Sequence, residues 1–125
     1  MKTLGLIVVA LTAALHLYIA WFEIFAWTTR GPVVFDTFPA DLFEPTVALA
    51  ANQGIYNAFL AVGLLWALAI RDPQWQFNIA VCFLGFVFAA GAMAAATVAF
   101  STGLQQMVPS ALGLILLITG RARSH

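Results

Sequence analysis

The sequence predicts an all-α integral membrane protein, a four-helix bundle forming one domain over residues 1–125 with both termini cytoplasmic. Three observations lead there. Of the 125 residues, 63% are hydrophobic and 8% are charged, whereas soluble domains carry about a quarter charged residues. Mean hydropathy is +0.98. Apolar runs long enough to span a bilayer, at about 20 residues each, recur four times between short polar breaks.

Five cationic and five acidic side chains cannot cover a soluble globule of this size, so lipid has to be the solvent for most of the surface. The formal net charge is zero, which gives no nucleic-acid surface. Cys82 is the single cysteine, so neither an intrachain disulfide nor a thiolate metal cluster is available.

The first span is expected over residues 3–29, ended by Arg30-Gly31-Pro32, because proline disfavours helix at the residue before it. It outruns the apolar stretch of a signal peptide and carries His16 and Glu23, so it reads as a retained span. The loop over residues 30–45 mixes Asp36, Asp41 and Glu44 with Phe35, Phe38, Leu42 and Phe43. That mixture fits a segment on the membrane surface or folded over the bundle mouth, with a short helical turn near Pro39. The second span is expected over residues 46–70, closed by Arg71-Asp72-Pro73. The third is expected over residues 74–100, closed by a turn at Ser101-Thr102-Gly103. The fourth is expected over residues 104–119, with Pro109 inside it.

Lys2, Arg71, Arg121 and Arg123 fall on one side of the membrane and Arg30 on the other. The positive-inside rule then puts both termini in the cytoplasm, as in a plasma- or inner-membrane protein. Trp21 and Trp27 suit an outer aromatic belt, and Trp66 and Trp75 an inner one.

Polar residues inside spans usually face the bundle interior or a cavity. At about 100° per residue, Thr12, His16, Ala20, Glu23 and Trp27 share a stripe about 80° wide. On the second span Asn52 pairs with Tyr56, and Gln53 with Asn57, at i, i+4. Gln105 and Gln106 open the fourth span. Apart from the deeper His16, all these groups lie in the outer half. Each has a plain structural alternative: interhelical hydrogen bonds for the amides, a satisfied core position for His16, and an ion pair with Arg30 for Glu23.

On the third span Asn78, Cys82, Gly85, Ala89, Ala92 and Ala96 share a face of mostly small residues, read as an internal helix contact. The same spacing would serve a homo-oligomer. No standard catalytic motif is present, and no cofactor can be named. His16 and Glu23, seven residues apart, lie about 10 Å apart along the helix, too far for a direct metal chelate.

His16, Glu23, the stretch Asn52-Gln53-Gly54-Ile55-Tyr56-Asn57-Ala58-Phe59-Leu60-Ala61 with Gly63-Leu64, and Gln106-Met107-Val108-Pro109-Ser110 together resemble the small membrane proteins grouped as domain of unknown function 1304. The resemblance covers most of the chain and implies a four-span membrane protein. It implies no activity.

The leading expectation is an outer-half site that binds or converts a small apolar or amphipathic ligand such as a lipid, isoprenoid or quinone. His16 and Glu23 would handle protons there, and Asn52, Gln53, Tyr56, Asn57 and Gln106 would orient the ligand. A small proton-coupled carrier or channel is the second expectation, against which the dry inner half counts. A non-catalytic accessory subunit of a membrane complex is the third.

Overall fold

A computed structural model describes residues 1–122. Arg123, used above for orientation, lies outside them, as does His125. The elements are α1 (Lys2–Phe25), α2 (Trp27–Val34), a 3-10 turn (Ala40–Leu42), α3 (Val47–Ala69), α4 (Pro73–Thr97) and α5 (Phe100–Ala122). Four of them, α1, α3, α4 and α5, are long and apolar enough to cross a membrane.

The long helices pack as two antiparallel hairpins, α1 with α3 and α4 with α5. The hairpins close into a square through the α1–α5 and α3–α4 contacts. Near the chain termini the two hairpins share a core of Val9, Ala13, Leu64, Ala67, Ile79, Ala80, Leu84, Val87 and Leu117. At that end Asp72 caps α4 by accepting from the Trp75 amide at 2.8 Å, with Pro73 in the first turn. Arg121 donates to Gln74 at 2.5 Å and lies over the Phe77 ring, 4.4 Å from its centroid.

Two boundaries and one helix face differ from the sequence reading, each for a physical reason. The first span ends at Ala26, and the chain continues as α2 straight through Pro32. Proline removes the hydrogen bond to Thr28, but Thr28 is exposed, where water can satisfy its carbonyl. Gly31 did not end a helix; it lies under the Phe43 ring, where a Cβ would collide.

The Ser101-Thr102-Gly103 stretch is likewise helical, and the turn falls at Val98-Ala99. Gly103 is a packing residue. A Cβ there would meet the Gly91 carbonyl and the Ala95 backbone.

The third correction concerns the small-residue face of α4. Asn78, Cys82, Ala89 and Ala96 are exposed, and a Cβ at Gly85 would meet nothing within 4 Å. That face is not an internal contact. The buried face of α4 carries Ala80, Leu84, Val87 and Gly91 instead.

These contrasting glycines give a direct test. Gly103→Ala should destabilise the fold by about 1–3 kcal/mol, because the added methyl meets backbone that has to shift. Gly85→Ala should stay within about 0.5 kcal/mol of the parent. Reversible unfolding in mixed micelles measures both, and equal effects would refute the assignment of faces.

Candidate functional site

The site begins with α1. Its stripe turns inward as the periodicity requires: Thr12, His16 and Ala20 are buried, and Glu23 and Trp27 are half-buried. Helix α3 lies close alongside because Gly54 has no side chain. A Cβ there would come within 2.6 Å of Ile24 and 3.2 Å of the Glu23 Cβ. This approach brings the buried Asn57 against Glu23, and its Nδ2 donates to Glu23 Oε2 at 2.7 Å and to the Gln53 carbonyl at 3.3 Å. Glu23 is therefore held by Asn57; among the described residues it makes no ion pair with Arg30.

On the far side of this pair the two hairpins separate around a cavity of about 640 Å³. Its polar wall carries Glu23, Gln53, Tyr56 and Asn57 from the first hairpin, and Thr97, Ser101, Thr102, Gln105 and Gln106 from the second. Leu15, Ile19, Leu60 and Met93 add apolar wall. The cavity lies at the end away from the termini and the shared core.

The loop after α1 folds over this end. Trp27 stacks among Phe22, Phe35, Phe38 and Phe43, with ring centroids 5.1–6.3 Å from its own. Its Nε1 donates to Thr46 Oγ1 at 2.9 Å, and Thr46 Oγ1 donates to the Leu42 carbonyl at 2.6 Å. Trp27 is thus a fixed part of the lid and cavity wall, not a residue of a lipid-facing belt, whereas Trp21 is exposed.

His16 is fully buried and does not line the cavity. Its Nδ1 lies 2.9 Å from the Thr12 carbonyl. A carbonyl only accepts, so Nδ1 carries the proton and neutral imidazole keeps its lone pair on Nε2. Nε2 is buried without a hydrogen-bond partner. The Gln106 side chain, which lines the cavity, lies beside the ring without forming a well-aligned hydrogen bond.

Of the residues named from the sequence, Glu23, Gln53, Tyr56, Asn57 and Gln106 meet around one cavity, and His16 lies next to Gln106. Asn52 is separate: it is exposed and lines no part of the cavity. Tyr18 was missed, and so was the part of Trp27 in the lid, although Trp27 stood one turn beyond Glu23 on the polar stripe; the loop itself takes the second of its two expected places, over the bundle mouth. Among the described residues no three His, Cys, Asp or Glu side chains gather as metal ligands.

The fold is a small all-helical bundle of four helices long and apolar enough to cross a membrane, with a polar chamber at one end. A family model described as protein of unknown function (DUF1304) matches residues 10–118. The chain belongs to that family. No curated protein and no solved structure is significantly similar to it.

The Glu23–Asn57 contact can be measured directly. Asn57→Leu and Glu23→Leu should combine with a coupling of about 0.6–1.7 kcal/mol, the range for interhelical hydrogen bonds in membranes. Glu23→Gln keeps an acceptor for Asn57 and should stay close to the parent. A double-mutant cycle giving no coupling would remove the contact.

Proposed function

We propose that the chain binds, or converts, a small apolar or amphipathic molecule of the lipid, isoprenoid or quinone type in the cavity between its two hairpins. The observation that carries this reading is the cavity itself, about 640 Å³ of space walled by apolar side chains and a few converging polar groups. Sites for small molecules have this composition and size. Gln53, Tyr56, Asn57 and Gln106 orient the polar end of the ligand. Glu23, at the wall, is the group placed to exchange a proton with it, and His16 acts from behind Gln106. The closely packed core at the opposite end supports a binding site over a carrier that needs a polar path through both halves.

In this reading the cavity faces outward and both termini are cytoplasmic, in a plasma or inner membrane. Lys2, Arg71 and Arg121 at the terminal end, against Arg30 at the cavity end, support that orientation.

Native mass spectrometry of protein released from a neutral detergent should show a bound small molecule. Ala94→Phe, which places a ring in the cavity wall, should remove it, and Glu23→Gln should reduce its occupancy. Protein that carries no such molecule and tolerates Ala94→Phe without change in any assayed phenotype would refute the proposal.

The exposed small-residue face of α4 supports a second reading, an accessory subunit whose partner covers that face. Gly85→Leu or Ala89→Leu should then abolish co-purification of a larger membrane complex. A complex that survives both substitutions removes this reading.

A further inference from the structure

We infer that the cavity selects an amphiphile with a cationic head, an organic ammonium or a similarly delocalised cation, over one with a neutral or anionic head. The inference rests on the reading of the cavity as an amphiphile site and narrows its ligand.

The argument is one of charge and ring placement. Among the described residues the cavity wall contains one acidic side chain, Glu23, and no lysine, arginine or histidine. Arg30 is exposed on α2 and lines no part of it. The cations gather at the other end of the bundle, where Lys2 and Arg121 line a separate cavity of about 400 Å³. An anionic head would enter a chamber with no counter-charge, beside a carboxyl group, and burial of an unpaired charge is strongly unfavourable.

The carboxyl group is presented to one side. Asn57 holds Oε2 at 2.7 Å, and Oε1 accepts from no described protein group. Aromatic rings share the cavity wall with it. Tyr18, Phe22, Trp27, Phe35 and Tyr56 all line the same cavity. The indole is fixed by its bond to Thr46 and by its packing on Phe22 and Phe35. Ring faces attract organic cations, and desolvation strengthens the attraction. One half-satisfied carboxyl group and several rings on one cavity wall, with no cation lining it, is the chemistry that recognises such a head. A neutral head without an O–H or N–H donor would leave that carboxyl oxygen without a partner, and one with a donor would supply no charge.

Three probes of one shape and different charge test this: tetraphenylphosphonium, tetraphenylborate and neutral tetraphenylsilane. Binding is measured by equilibrium dialysis against purified protein in a maltoside detergent, with Ala94→Phe as the control for partition into micelles. The cation should bind saturably, at least tenfold more tightly than either other probe. Glu23→Gln should weaken the cation at least tenfold and leave the neutral probe unchanged; a thermal melt confirms that the variant is folded. Should it unfold, Trp27→Leu gives the same discrimination through the ring.

Equal binding of phosphonium and borate overturns the inference, as does a neutral probe that binds as tightly as the cation. If none of the probes binds while a small molecule still co-purifies, the charge preference falls and the binding site stands. If none binds and nothing co-purifies, both fall.

Discussion

A carboxyl group within a membrane helix has to be answered by protein or by water, and the rest of this structure is arranged around how Glu23 is answered. Its partner is neither a cation nor its own helix. Asn57 reaches it from α3 at 2.7 Å, and reaches it because Gly54 lets the two helices approach. The bond fixes the rotation of both helices at once. With Glu23 and Asn57 turned toward each other, Thr12, His16 and Ala20 point inward, and Gln53 and Tyr56 border the gap to the second hairpin. The same contact therefore joins the first hairpin and furnishes the polar wall of the cavity.

The second hairpin is joined differently. Gly91 and Gly103 let α4 and α5 meet nearly backbone to backbone at the cavity end, which draws these helices toward each other and not toward α1 and α3. At the opposite end Leu64, Leu84 and Leu117 fill the space among all four helices. Tight pairs at one end and a shared core at the other leave the chamber where they do. The lid completes it, because the break at Ala26 turns Trp27 into the ring cluster and Gly31 accommodates Phe43.

This explains what could be read in the sequence and what could not. Span number and the inward stripe of α1 follow from composition and a period of 3.6, which act along one helix. Meeting of Glu23 with the second-span amides was legible as shared depth. The exclusion of Asn52 was not, since one residue of helix rotation separates it from Gln53. Glycine was the ambiguous signal. Gly31 and Gly103 have the same local chemistry whether they end a helix or admit a neighbour, and only the partners, Phe43 and Gly91 with Ala95, decide. The face of α4 failed for the same reason: small residues permit close packing, but they do not say which side a neighbour takes.

His16 shows how depth and chemistry combine. Its Nδ1 proton goes to the Thr12 carbonyl of its own helix, which leaves Nε2 as a buried acceptor without a partner. An unsatisfied acceptor of this kind costs about 1–3 kcal/mol. The Gln106 side chain, whose amide carries N–H donors, lies beside the ring and also lines the cavity. Along α1, His16 and Glu23 are about 10 Å apart, so they do not share a proton directly. Between the imidazole and the chamber stands the side chain of Gln106. Glu23 lines the chamber itself, whereas the deepest polar group of the bundle stands behind Gln106.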